Sequence, residues 1–172
     1  DSPIANRATV PMSTSRVHPE VLAALPHRPP FLFVDRVVDA AEDRLTTSWY
    51  VPEDAPFFEG HYPGEPVTPG VLISEHVFQS AAILVARRLG GFSPSMGIPV
   101  LTKIEHGRFR RIVRPGETLE TVVTLRERVG PGWFFGGKVR CEGKTVLSTD
   151  FVLSAAPRAD STASATAAES SD

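Results

Sequence analysis

Gly60 to Ala82 reads GHYPGEPVTPGVLISEHVFQSAA, and its two halves obey different rules. From Gly60 to Pro69, three prolines (Pro63, Pro66, Pro69) and two glycines (Gly60, Gly64) exclude both helix and strand. Proline fixes φ and removes a donor, and glycine opens positive φ, so this half is a stiff, shaped loop. The second half carries a helix start. Thr68 is a suitable N-cap, and Pro69 stands at the first helical position, where its missing N–H costs nothing. Val71, Leu72, Ile73, Val77, Phe78, Ala81, Ala82, Ile83, Leu84 and Val85 run almost all the way round. A helix of that kind is buried on most sides. It is expected to reach Leu89, where Gly90-Gly91 is a stop signal.

The helix carries one group that does not belong in a core. Glu75 lies in its second turn, and Gln79 lies one turn further on the same face. A carboxylate is rarely buried without a partner or a purpose. Upstream, the rigid loop presents His61. A histidine on a stiff loop, a carboxyl on a buried helix and a free helix N-terminus between them form an acid/base layout. Taken alone, the same residues also allow a plain reading, with Glu75 facing solvent and His61 packed on its loop.

Outward from this stretch, 172 residues suffice for one domain with a sizeable core. A hydrophobic content of 41%, a charged content of 22% and a net charge of −2 favour no particular charged partner. No apolar run reaches the length of a membrane span. The N-terminus shows no basic-then-apolar signal pattern, so a cytoplasmic protein is expected. The single cysteine, Cys141, excludes an internal disulfide and a cysteine-based zinc cluster, and reads as a small core residue. No cofactor or metal is expected. Arginine outnumbers lysine fifteen to three, which we read as compositional bias.

The segmentation expected is an irregular arm over residues 1–15, one domain over 16–154 and a disordered Ala/Ser-rich tail over 155–172. His18-Pro19-Glu20 opens a short helix ending at Ala24. Pro29 and Pro30 hold the next residues extended, and His27 reads as a structural or surface histidine. Strands are expected over Phe31–Val38 and Arg44–Val51. A loop over Glu53–Glu59, anchored by Phe57 and Phe58, leads to His61. After the helix, further strands are expected over Ile98–Val113, Thr118–Arg128, Trp133–Cys141 and Lys144–Leu153, with turns at Pro115-Gly116, Gly130-Pro131-Gly132 and Glu142-Gly143. One long buried helix with about six strands, mostly hairpin-linked, is an α+β arrangement. Arg108, Arg110, Arg111 and Arg114 cluster in one segment, and Arg87-Arg88 close the helix, where cations are favoured anyway. Nucleic acid is a poor fit, since the chain is net acidic and has no recognition motif.

The residues Gly60-His61-Tyr62-Pro63-Gly64, Pro69-Gly70-Val71-Leu72, Glu75 and Gln79 together resemble the pattern of the (3R)-hydroxyacyl-acyl-carrier-protein dehydratases of the FabZ type. LPHRPPFLFVDRV, from Leu25 to Val37, is similar to that family's opening strand, and GRFRRIVRPGETL, from Gly107 to Leu119, to its later Arg-Phe strand and Pro-Gly turn. The resemblance covers roughly Leu25 to Leu153. Thr68, Ile112 and Tyr62 depart from the common Met, Pro and Phe. The related isomerising dehydratases commonly have Asp at the Glu75 position, so Glu75 favours plain dehydration.

The resemblance implies a hot-dog fold, a sheet wrapped around one long helix. It also implies a homodimer or trimer of dimers, with His61 from one subunit and Glu75 from the other completing each site. The expected activity is conversion of a 3-hydroxyacyl chain on acyl carrier protein to the trans-2-enoyl thioester, in fatty-acid or type II polyketide or polyene synthesis. His61 would take the C2 proton, and Glu75, its pKa raised by an apolar wall, would protonate the departing oxygen. Gln79 would orient Glu75, and the N–H groups of Gly70 and Val71 would face the developing enolate oxygen. Tyr62, Thr68, Val71, Phe78 and Ala82 would line the acyl tunnel. Arg108, Arg110, Arg111 and Arg114 would dock the acidic carrier. Competing readings are a hot-dog thioesterase or enoyl-CoA hydratase and, in a different class, a non-catalytic partner subunit.

Overall fold

The computed structural model describes residues 16–92 and 97–156. The arm expected over residues 1–15 lies outside the described residues, as do 93–96 and 157–172. The elements are α1 (Pro19–Ala24), β1 (Arg36–Ala40), β2 (Arg44–Tyr50), α2 (Phe57–Gly60), α3 (Gly70–Leu89), β3 (Ile98–Phe109), β4 (Thr118–Val129), β5 (Gly132–Cys141) and β6 (Lys144–Ala156). The strands form one six-stranded sheet in the order β1-β2-β4-β5-β6-β3, every neighbouring pair antiparallel. α3 packs across one face of it against five strands, β2 to β6. This is the hot-dog arrangement.

Period-two alternation sorts the two faces of the sheet. Leu45 and Trp49 on β2, Leu119 and Val123 on β4, Phe135 and Val139 on β5, and Leu147 and Phe151 on β6 form the core with α3, all nearly inaccessible. The contact is close enough to need a glycine. A Cβ added at Gly137 of β5 would lie 2.5 Å from a methyl of Val77 on α3. The turn between β5 and β6 places Glu142 and Gly143 at φ 51° and 75°, the pair of positive values that a two-residue hairpin requires.

Several expected boundaries move, each for a local reason. Residues 31–35 are not strand. Phe33 N–H and Phe31 C=O are taken by the side chain of Gln79 on α3, which pulls this segment off the sheet edge until Arg36. The expected loop over Glu53–Glu59 contains a helical turn, α2, that ends on Gly60; Phe57 and Phe58 pack against the core as expected. β6 continues through Ala156, which pairs with Ile98, so the domain extends two residues past the expected boundary at 154. Thr68 is not the N-cap of α3. Pro69, at φ −55° and ψ 129°, takes that position and offers no side-chain acceptor, leaving Thr68 one residue outside the helix.

The two edges of the sheet differ. β1 is short. β3 is twelve residues long and exposes Leu101, Ile104 and Phe109 along an edge that carries no further strand among the described residues.

Candidate active site

The start of α3 sets the geometry. Leu72 and Ile73 donate to Pro69 C=O at 3.0 and 3.2 Å. The N–H groups of Gly70 and Val71 therefore point out of the first turn, with no acceptor among the described residues. Gly70 packs closely against Phe109. A Cβ at this position would approach the Phe109 ring to 3.1 Å.

Glu75 lies in the second turn on a half-buried face. Its Oε1 accepts from Gln79 Nε2 at 3.1 Å, and Oε2 has no hydrogen-bond partner among the described residues. Gln79 is held from the other side. Its Oε1 accepts from Phe33 N–H at 2.8 Å, and Nε2 also donates to Phe31 C=O at 3.3 Å. One side-chain amide thus stitches the 31–33 segment to the helix and fixes one oxygen of the carboxyl. Burial raises the pKa of Glu75, and the Gln79 bond offsets this in part. The plain reading of Glu75 as a solvent-facing residue does not hold.

A residue read from sequence as merely structural stands beside it. His27 Nε2 is 3.8 Å from Glu75 Oε1, and His27 Nδ1 is buried without a partner among the described residues. Burial lowers the pKa of His27, and the neighbouring Arg28 charge lowers it further. The sequence signal that could have found it is its place in LPHRPPFLF, whose Phe31 and Phe33 backbone groups meet Gln79. The next helix residue, His76, is fully buried against Trp49, with ring centroids 5.6 Å apart. Burial lowers its pKa to about 3, with a Phe33 backbone group pulling weakly the other way. Neither ring nitrogen has a partner at hydrogen-bond geometry among the described residues.

His61 caps the C-terminus of α2, its N–H donating to Phe57 C=O at 3.2 Å. The following residue, Tyr62, sits at φ 52°, a conformation costly for a bulky side chain, and its ring is tilted on His61 at 4.5 Å. His61 makes no ion pair with Glu75 within the chain among the described residues. Of the residues expected along a tunnel, Tyr62 (65% exposed) and Val71 (75%) face outward. Thr68, Phe78 and Ala82 are buried. Phe78 packs edge-on against Phe151 at 4.8 Å as part of the core, so a single chain does not bring these five to one channel.

The arginines also divide. Arg108 and Arg110 are exposed on and just past β3. Arg111 is engaged internally: it donates to Glu117 at 2.5 Å and to Cys141 C=O at 3.2 Å, and approaches Glu142 at 3.5 Å. Its guanidinium supplies the positive charge where Glu117, Cys141 and Glu142 converge. Arg114 faces Glu65 at 3.7 Å, both exposed. Arg87 pairs with Glu20, and Arg88 with Asp43, so the helix-terminal cations are held by their own fold.

Comparison with known proteins gives a consistent result. The FabA-like domain family matches residues 25–150. A 3-hydroxyacyl-[acyl-carrier-protein] dehydratase FabZ of Anaeromyxobacter dehalogenans is 43% identical over 135 residues, covering 78% of this chain and 86% of the relative. An enzyme of the same name from Anaeromyxobacter sp. is 39% identical over 156 residues, 90% of this chain and 97% of the relative. The Myxococcus xanthus enzyme of that name is 40% identical over 134 residues, 77% and 87% of the two chains. Among solved structures, the dehydratase heterocomplex ApeI:P of Xenorhabdus doucetiae matches with a TM-score of 0.69 at 16% identity, over 84% of this chain and 95% of that one. A similarity at that identity bears on the fold alone.

Proposed function

The chain belongs to the FabA-like domain family, and from that premise we propose that it is a 3-hydroxyacyl-[acyl-carrier-protein] dehydratase acting in fatty-acid biosynthesis. The observation that carries the reading is Glu75: a desolvated carboxyl with one oxygen bound to Gln79 and the other without a partner among the described residues, one turn inside a helix start whose N–H groups have no acceptor among those residues. A thioesterase would need a nucleophile or an activated water at the carbonyl carbon. A proton donor beside unpaired N–H groups suits elimination instead.

The steps balance without a cofactor. The thioester carbonyl lies at the N–H groups of Gly70 and Val71, whose dipoles stabilise the enolate oxygen as it forms. His61 removes the C2 proton. Glu75 gives its proton to the C3 hydroxyl, which leaves as water while the C2–C3 double bond forms. His61 is left protonated and Glu75 ionised, and proton exchange with water restores both. A raised carboxyl pKa keeps Glu75 protonated to higher pH, as an acid needs.

His61 and Glu75 do not meet in one chain, so the site is completed by a second copy. The support is the edge of β3, a long strand with exposed Leu101, Ile104 and Phe109 and free ladder groups of the kind a partner strand covers. Pairing there also brings a second chain beside Phe109, Gly70 and the outward-facing Tyr62 and Val71, giving the acyl chain walls from both subunits. Arg108, Arg110 and Arg114 then form the dock for an acidic carrier in the cytoplasm. Arg111, bound to Glu117, supports the segment from beneath.

The test is complementation. His61→Ala and Glu75→Gln, each inactive alone, are mixed under conditions that exchange subunits and assayed for dehydration of a carrier-bound 3-hydroxyacyl chain. Mixed dimers regain one intact site, so activity returns. Verified exchange with no recovery would exclude the shared site.

A further inference from the structure

Three connections tie the segment from His27 to Phe33 onto one face of α3. Two are backbone groups bound by the Gln79 amide, and the third is the approach of His27 Nε2 to Glu75 Oε1 at 3.8 Å. The backbone bonds suffice to dock the segment and leave the histidine unexplained. Its position is nonetheless firmly set. The Arg28 guanidinium donates to the carbonyls of Leu22, Leu25 and His27 at 3.1, 2.7 and 2.7 Å, locking the turn that carries the ring. The ring stacks on Phe31 with centroids 6.4 Å apart. Nδ1 is sealed from solvent and from any partner among the described residues. An imidazole with one nitrogen closed off has only the other to work with, and Nε2 is the nitrogen that approaches the carboxyl.

The two oxygens of Glu75 are therefore unequal. Oε1 faces two nitrogens, those of Gln79 and His27, and Oε2 faces none among the described residues. A buried bare acceptor is easier to tolerate than a buried unpaired N–H, which favours the tautomer with its hydrogen on Nε2. We propose that His27 is a positioning residue for Glu75: with Gln79 it makes Oε1 the accepting oxygen, so that the acid's proton resides on Oε2 and faces the leaving hydroxyl. The contact is longer than a hydrogen bond in the single chain and shortens when substrate and the second subunit close the site. The inference rests on the reading of Glu75 as the general acid.

Around this pair, the charged or titratable groups among the described residues are few. Arg28, on the same segment, turns its guanidinium towards backbone carbonyls. His76, next along α3, is neutral in its apolar surroundings against Trp49 of β2, and in the assembled site His61 of the second copy also faces Glu75. A change in the acid's titration on altering His27 therefore reports on the His27–Glu75 contact. An N–H donor stabilises a carboxylate more than a carboxylic acid, so removing it raises the acid's pKa.

The experiment measures kcat and KM from acid to alkaline pH for the wild type, His27→Phe and His27→Gln, with melting temperatures alongside. Phe keeps the packing on Phe31 and removes the donor; the Gln amide nitrogen restores a donor near Nε2. His27→Phe should lower kcat roughly tenfold, leave KM within about twofold and move the alkaline limb of kcat upward, and His27→Gln should recover most of the loss. A His27→Phe enzyme with wild-type kcat and an unmoved limb would overturn the inference, as would a His27→Gln enzyme no better than His27→Phe. A wild type that does not dehydrate carrier-bound substrate at all would instead remove the parent reading, and this one with it.

Discussion

The two halves of α3 share a backbone and differ in what they leave unfinished. From Ala81 to Ala86 every residue is apolar and buried, and each contributes to the core that joins helix to sheet. From Gly70 to Ser80 the same helix carries two unpaired N–H groups, an exposed Val71, a desolvated Glu75 and a buried His76 without a hydrogen-bond partner among the described residues. The desolvated Glu75 and the buried His76 cost stability, because a polar group removed from water without full pairing carries a desolvation penalty. A chain can hold such groups only where another part of the fold supplies the surplus. Here that part is the next two turns of the same helix. Stability and chemistry are thus divided along one axis, and the division can be tested from either end.

The largest effect is expected from the silent half. Ile83 is completely buried in the apolar core. Ile83→Ala should cost about 3 kcal/mol through lost burial and the cavity left behind. Well below its lowered melting temperature, turnover per folded molecule should stay near the wild-type value. Denaturant melts and a titrated assay check both. A variant that is folded yet inactive would show that the two halves are not separable.

Glu75→Gln breaks the comparison from the other end. Turnover should fall by roughly a hundredfold or more, equivalent to about 2.7 kcal/mol of barrier. Stability should move the opposite way. A carboxyl whose pKa is raised by folding binds its proton more tightly in the folded chain than in the unfolded one. The wild type therefore loses stability as pH rises from near the ordinary value of 4.5 through the raised folded value. Glutamine has no such titration and can still accept from Gln79. The variant should match the wild type near pH 4 and exceed it at neutral pH. An equal difference at both pH values would show that ionisation of Glu75 is not the cost.

Much of this was legible in the sequence. Prolines and glycines marked the loop before α3, the all-round apolar run marked burial, and alternation marked the later strands. Glu75 and Gln79 were legible because a carboxyl inside an apolar helix is an anomaly at any angle of view. What stayed hidden depended on contacts between distant residues. Residues 31–35 read as a strand by composition, but Phe31 C=O and Phe33 N–H are taken by Gln79, more than forty positions away. His27 read as structural because nothing near it in the chain says what it faces. Arg111 read as one of four equivalent cations, yet Glu117 and the Cys141 carbonyl single it out. Local pattern carries the elements; the site is assembled from the spaces between them.

Thr68 offers the smallest effect and the sharpest choice of sign. By sequence its hydroxyl should cap α3, and losing a cap of that kind costs about 1 kcal/mol. The structure puts Pro69 in the capping position and leaves Thr68 Oγ1 buried without a partner among the described residues, while the Thr68 N–H donates to Val113 C=O at 2.8 Å. Valine has nearly the same shape, keeps the β-branch and preserves the backbone bond. Thr68→Val therefore removes only a hydroxyl that makes no bond, and should leave stability unchanged or raise it by up to about 1 kcal/mol. A loss of that size would restore the capping role. The kinetics supply the second half of the answer. An unpaired hydroxyl one residue before the helix start that faces the thioester can find its partner in the bound substrate. In that case Thr68→Val should raise KM for carrier-bound substrate several-fold while the melting temperature holds or rises. If neither KM nor the melting temperature changes, the hydroxyl is a tolerated cost of the first half of α3 and serves nothing there.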